Sequence, residues 1–162
     1  MHNQQKIFHL ASDLGHQLLA TKQKCAVAES CTGGGLSAAI TDVSGCSQWF
    51  DRGFITYTND AKEQMLGVSH EIIATYGAVS HETASAMAEG AIMFSQAQIS
   101  AAITGIAGPT GGRVDKPVGT VWIAWSRGNG KTRSCRYLFL GGRQDIRSQA
   151  IQAALEGLLS EI

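Results

Sequence analysis

Ser30 is the residue whose type and position most directly suggest chemistry. It lies between the apolar run Cys25-Ala-Val-Ala-Glu29 and the glycines Gly33-Gly34-Gly35. The run before it reads as a short buried strand, and Leu36 to Val43 reads as a helix. The first N–H groups of a helix lack partners within the helix and can donate to a developing oxyanion, helped by the helix dipole. A serine in such a turn is well placed to attack a carbonyl. The same position also suits a plain helix cap, by Ser30 or Thr32, which is the more frequent use of these residues. Cys31 is a rival nucleophile, because thiolates at helix starts have lowered pKa values. Successive residues in a turn point in different directions, so one of Ser30 and Cys31 faces a pocket, and spacing does not choose.

A nucleophile needs a base. His2, His9 and His16 fall on or before the opening helix, on its exposed side, and His70 and His81 fall near helix starts. None adjoins a glycine loop. Lys62 occurs in the first turn of a helix, where a cation is disfavoured. That placement, with partial burial, lowers its pKa toward a value useful for a base. Taken alone, it also reads as an exposed surface lysine. Tyr57, at the preceding strand end, can hydrogen-bond a serine oxygen or relay a proton, or simply sit at the core edge. The loop Thr104-Gly-Ile-Ala-Gly-Pro-Thr-Gly-Gly112 follows a strand, and its glycines let the main chain approach a ligand or merely turn. Arg143 and Arg147 are one helical turn apart at the start of the last helix. They suit bidentate phosphate contact or a solvated face. The glycine run lacks the Lys-Ser/Thr ending of a P-loop and the Gly-x-Ser-x-Gly spacing of the hydrolase elbow.

The elements that position these residues follow from periodicity. Ile7, Leu10, Leu14 and Leu18 recur at helical spacing. Trp49 to Tyr57 is rich in strand formers. Asn59 is expected to cap a helix carrying Lys62, with Gly67 ending it, and Ser69 to cap a short helix ending at Gly77. Ser80 is expected to cap a helix through Ala84, Met87, Ala88 and Ala91. Ile99 to Thr104, Val118 to Trp125 and Thr132 to Leu140 read as strands, the last two joined by the hairpin-like Arg127-Gly-Asn-Gly130. A final helix runs from about Asp145 to Leu159. This order predicts an α/β fold: a single-domain layered sandwich over residues 1–162, with a mixed β-sheet of about five strands flanked by helices.

Composition narrows the function. The chain has 162 residues, 44% hydrophobic and 16% charged, and 13 basic residues balance 13 acidic ones. That balance gives no electrostatic footprint for nucleic acid or an anionic membrane, although one basic phosphate pocket is compatible with it. The four cysteines form no CxxC pair, and cysteines and histidines lack the spacing of a zinc site. Reduced thiols in a cytoplasmic protein are the expectation, with Cys25, Cys46 and Cys135 as small buried residues. The first residues lack the apolar stretch of a signal peptide, and no segment is apolar enough to span a membrane. A homodimer is expected from the aromatic and small residues available for a self-association face.

Six segments together resemble one family. They are Ala28-Glu-Ser-Cys-Thr-Gly-Gly34, Gly53-Phe-Ile-Thr-Tyr57, Lys62 with Leu66-Gly-Val68, Gly77-Ala-Val-Ser80, Thr104-Gly-Ile-Ala-Gly-Pro109 and Lys116-Pro-Val-Gly-Thr-Val121. They are similar to the C-terminal domain of the competence/damage-inducible CinA proteins, in that family's order and over nearly the whole chain. The resemblance implies hydrolysis of nicotinamide mononucleotide to nicotinic acid mononucleotide and ammonia, by a serine mechanism without a metal or cofactor. It implies Ser30 as nucleophile, with Lys62 and Tyr57 assisting proton transfer and helix-start N–H groups holding the oxyanion. Thr32, Gly33, Thr104 and Gly105 would line the substrate pocket, and Arg143 and Arg147 would meet the phosphate. Two alternatives stand beside it: a non-catalytic nucleotide-binding paralogue and a Cys31 amidase. Longer family members carry an extra N-terminal domain not seen in this sequence. Gly142 stands where the family often has Asp, and Arg113 to Asp115 is less typical.

Overall fold

In the computed structural model, which describes residues 2–162, every strand joins one mixed sheet. The elements are α1 (His2–Ala20), β1 (Cys25–Glu29), α2 (Gly35–Thr41), β2 (Phe50–Ile55), α3 (Asn59–Leu66), α4 (His70–Tyr76), α5 (His81–Met93), β3 (Ile99–Gly105), β4 (Thr120–Ser126), β5 (Thr132–Leu138) and α6 (Arg143–Glu161). A 3₁₀ turn, Cys46–Gln48, precedes β2. The strand order is β2-β1-β3-β4-β5. β1 runs parallel to β2 and β3, and β4 runs antiparallel to β3 and β5. The expected layered α/β sandwich with five strands is the observed architecture.

The period of two along each strand divides the core into two layers. Cys25 and Val27 of β1, Ile99, Ala101 and Ile103 of β3, and Val121, Ile123 and Trp125 of β4 face the layer shared with Leu14, Leu18, Leu36, Ile40, Ile146 and Leu158. Those partners come from α1, α2 and α6. On the opposite face Ala26, Ala28, Ala102 and Ala124 meet Ala84, Met87, Ala88 and Ala91 of α5. Alanine on both surfaces lets α5 lie close to the sheet. Leu66 and Ile73 bring α3 and α4 onto that layer.

Close packing also fixes α6. A Cβ placed on Gly157 would collide with the Trp125 ring, so the helix seats directly on β4 at that point. Trp125 Nε1 donates to the Ala154 carbonyl at 3.0 Å. The Arg133 guanidinium lies over the same ring, 4.2 Å from its centroid.

Several local expectations are corrected. Thr58, not Asn59, caps α3: its hydroxyl accepts from Ala61 N at 3.1 Å. Ser69 precedes α4 but spends its hydroxyl on Glu71 rather than on a helix N–H. Ser80 does cap α5, accepting from Thr83 N at 3.1 Å. Trp49 and Tyr57 fall outside β2, and the fourth strand starts at Thr120 rather than Val118. Cys25 is buried, but Cys46 is half-buried and Cys135 is exposed, because β5 is an edge strand with one face to solvent.

Candidate active site

The chain leaves β1 to reach β2 on one side and later returns to β3 on the other. In an open sheet such a reversal opens a crevice beyond the carboxyl ends of the strands. Ser30 follows β1, Tyr57 follows β2 and Thr104-Gly105 close β3, so all three strand ends meet there. The cavity at this place has a volume of about 280 Å³. Its lining includes Ser30, Cys31, Tyr57, Lys62, Thr104 and Arg143, together with Asn59 and main chain of the 105–111 loop. Gly105 is required there for packing as well as for access, since a Cβ on it would press on Val121 and the Thr120 carbonyl.

The parallel register that pairs Glu29 with Ile55 carries Lys62, in the first turn of α3, back over β1. Lys62 Nζ lies 3.1 Å from Ser30 Oγ and donates to the Thr56 carbonyl, also at 3.1 Å. The lysine is 1% exposed and Ser30 is 8% exposed. Burial away from water lowers the lysine pKa, opposed only by the neighbouring Cys31. The second acceptor near the Ser30 hydroxyl is the Tyr57 carbonyl, at a long 3.5 Å. The hydroxyl proton can therefore point to that carbonyl when Lys62 is an ammonium, and to Nζ when it is an amine. No histidine lines the cavity among the described residues, and all five are exposed.

Cys31 also lines the cavity, but burial pushes its thiol up to about 11. A thiol so disfavoured as thiolate is a poor nucleophile near neutral pH. Thr104 donates its hydroxyl to the Ala78 carbonyl at 2.9 Å and so presents lone pairs to the cavity.

Other expected site residues are placed elsewhere. Tyr57 is 56% exposed, and its hydroxyl accepts from Arg143 at 3.0 Å rather than touching Ser30 or Lys62. Arg143 also donates to the Gly108 carbonyl at 2.8 Å, bridging the cavity mouth. Arg147 does not line the cavity. It donates to the carbonyls of Cys31 and Thr32 at 3.1 and 3.0 Å and so props the turn from behind. Gly33 is exposed and Thr32 is buried, and neither borders the cavity.

The start of α2 is not the expected oxyanion site. The buried Glu29 carboxylate accepts from Leu36 N at 2.8 Å, Ser37 N at 2.9 Å and Ser37 Oγ at 2.7 Å. These helix N–H groups are therefore occupied by an anion already in the protein. The N–H groups of Cys31 and Thr32 meet no acceptor among the described residues. Glu29 was missed as a site residue. Its signal was an acidic residue at a strand end, one turn ahead of a helix start. Among the described residues no three His, Cys, Asp or Glu side chains come together as a metal site. No helix is long and apolar enough to cross a membrane.

Known proteins are similar to this chain over nearly its whole length. The chain is 44% identical over 153 residues to "Nicotinamide-nucleotide amidohydrolase PncC" of Escherichia coli (strain K12), covering 94% of this chain and 93% of that protein. The Pseudomonas putida protein of that name is 47% identical over 150 residues, covering 93% of each. A "CinA-like protein" of Akkermansia muciniphila is 49% identical over 136 residues, which are 84% of this chain but 33% of that longer protein. Among solved structures, the competence/damage inducible protein CihA from Agrobacterium tumefaciens superposes with a TM-score of 0.93 at 44% identity, covering 96% of this chain and 94% of that one. A CinA superfamily protein from Escherichia coli gives 0.92 at 38% identity, with 96% and 90% covered. The family profile described as "CinA C-terminal domain" matches residues 7–162, so the chain belongs to the CinA C-terminal domain family.

Proposed function

We propose that the protein hydrolyses the carboxamide of nicotinamide mononucleotide to nicotinic acid mononucleotide and ammonia, with Ser30 as nucleophile and Lys62 as its base. The observation that carries this reading is the buried 3.1 Å contact between Ser30 Oγ and an amine of lowered pKa. The names of the similar proteins supply the substrate.

In this reading Ser30 Oγ attacks the amide carbonyl carbon as its proton passes to neutral Lys62 Nζ. The N–H group of Cys31, which borders the cavity, receives the oxyanion. Thr104, presenting lone pairs, accepts from the carboxamide NH2 and so favours an amide over a carboxylate in the cavity. Lys62 returns the proton to the nitrogen as the C–N bond breaks, and ammonia departs. Water then attacks the acyl-serine carbonyl. Lys62 takes the water's proton and passes it to Ser30 Oγ as the acid leaves. The Tyr57 hydroxyl, held by Arg143, serves the phosphate end of the substrate. Arg143 meets the phosphate by exchanging its neutral acceptors for charged oxygens, which bind a guanidinium more strongly.

The test is ammonia release from nicotinamide mononucleotide, its riboside and free nicotinamide, by wild type and Ser30→Ala. Rapid release from the mononucleotide alone, lost in the variant, is expected. Equal rates in the two proteins would remove Ser30 from the mechanism, and tight binding without turnover would reduce the cavity to a nucleotide-binding site.

A further inference from the structure

Arg147 stands outside the cavity and has no part in the reaction described so far. Its guanidinium nevertheless forks onto two successive carbonyls of the turn after Ser30. Nε donates to Cys31 O at 3.1 Å and Nη2 to Thr32 O at 3.0 Å. The side chain is half-buried, and no carboxylate pairs with it among the described residues. Its charge is therefore not cancelled at contact.

The two branches of the fork end differently. A trans peptide sets its N–H antiparallel to its C=O. A carbonyl that accepts a hydrogen bond makes the N–H of the same peptide a stronger donor. The Thr32 carbonyl shares its peptide with the Gly33 N–H, which donates to Ser30 O at 3.0 Å. The Ser30 carbonyl in turn shares its peptide with the Cys31 N–H. That N–H meets no acceptor among the described residues, and Cys31 borders the cavity. Arg147 Nη2, the Thr32–Gly33 peptide and the Ser30–Cys31 peptide thus form an unbroken relay, with a cation at one end and a free donor at the other. Gly35 N also donates to Thr32 O, at 2.9 Å, and adds to the same polarisation. The Nε branch reaches only the peptide of the Thr32 N–H, and Thr32 does not border the cavity. The residue after a serine nucleophile is also where acyl-transfer sites of the strand–turn–helix type take an oxyanion donor.

We infer, on the reading that Ser30 is the nucleophile, that Arg147 is a positioning residue which aims and polarises the Cys31 N–H through these two peptides. Charge gathers on the substrate oxygen only as Ser30 attacks, so the effect belongs to the transition state and not to substrate binding. That sets Arg147 apart from Arg143, whose donors reach the cavity mouth.

Steady-state ammonia release from nicotinamide mononucleotide and from its weakly hydrolysed riboside tests this on wild type, Ser30→Ala, Arg147→Ala and Arg147→Lys. Unchanged circular dichroism checks that each is folded. Arg147→Ala is expected to lose about 10–100-fold in kcat, less than the roughly 10²–10³-fold cost of deleting an oxyanion donor itself. KM should stay within about twofold, and kcat/KM should fall equally for both substrates. Guanidinium at sub-denaturing concentration should restore part of the lost kcat in Arg147→Ala and leave wild type unstimulated. Arg147→Lys keeps the charge without the planar fork, so its kcat should lie between the two. Should the alanine variant not fold, the same loss confined to kcat in Arg147→Lys carries the test. Full kcat in the folded Arg147 variants, beside a wild type that depends on Ser30, overturns the relay alone. So does a loss that appears in KM for the mononucleotide and spares the riboside, which would make Arg147 a phosphate contact. A wild type that releases no ammonia, or a Ser30→Ala variant as fast as wild type, removes the nucleophile and the relay with it.

Discussion

Replacing Lys62 with methionine keeps most of the side chain's length and volume and removes only the amine. That amine touches Ser30 Oγ and the Thr56 carbonyl, each at 3.1 Å, on a side chain that is almost wholly buried. Loss of a general base slows a reaction by roughly 10²–10⁴-fold, or about 3–5 kcal/mol of barrier. Stability changes in two opposed ways. Burial holds the folded lysine below its ordinary value of 10.5. Between that lowered value and 10.5 the unfolded chain binds more protons than the folded one, so stability rises with pH across the window. Below the window the folded protein bears the full cost of a buried ammonium, which methionine removes. Methionine also deprives the Thr56 carbonyl of its donor, costing about 1–3 kcal/mol. The melting temperature near neutral pH should therefore shift little, while the alkaline rise in stability attributable to Lys62 disappears. Ammonia release from nicotinamide mononucleotide, followed from neutral to alkaline pH, reads the catalytic part. Wild-type rate should climb as Lys62 loses its proton, and Lys62→Met should show a low rate without that climb. A variant within about threefold of wild type, or one keeping the same rising limb, would refute the assignment of Lys62 as base.

Cys31→Ala should retain activity within a few fold in steady-state assays, because the thiol it removes is held at about 11. Arg143→Ala should raise KM for the mononucleotide by about 10–100-fold, the value of a charged hydrogen bond. It should leave kcat nearly unchanged and the weak hydrolysis of the riboside unaltered. Glu29→Gln offers an NH2 where the native carboxylate accepts, so either Leu36 or Ser37 loses its acceptor. A loss of about 1–3 kcal/mol in denaturant unfolding and a lower kcat are expected.

Much of this architecture was legible because it is periodic. The short apolar runs of β1, β3 and β4 mark buried strands, and the three-and-four spacing in α1 and α5 marks helices. The cap of α3 was misassigned by one position because Thr58 and Asn59 are both good caps, and only main-chain angles distinguish them. Ser30 and Lys62 could each be singled out by local setting, but their contact depends on the parallel register of β1 with β2, which no local pattern encodes. Arg143 and Arg147 share a helix face and looked equivalent. The carbonyls of Cys31 and Thr32 separate them by capturing Arg147 on the far side of the turn. Tyr57 was placed at the right strand end, yet the direction of its ring follows from Arg143, which comes from the last helix. Glu29 escaped notice because its partners lie seven and eight residues on, across a glycine turn whose path cannot be read from spacing.

The seating of α6 on Trp125 has a mechanical corollary. Gly157 and Arg143 are fourteen residues apart on one straight helix, about 21 Å end to end. The helix behaves as a lever whose pivot is a missing methyl group. Gly157→Ala would force the pivot off the indole, and a rigid rod passes such a displacement to its tip, where the guanidinium spans the cavity mouth. An error near 1 Å at a positioning group can cost about 100-fold in rate. Kinetic loss should therefore accompany any drop in melting temperature, although the altered residue lies a full helix length from the serine.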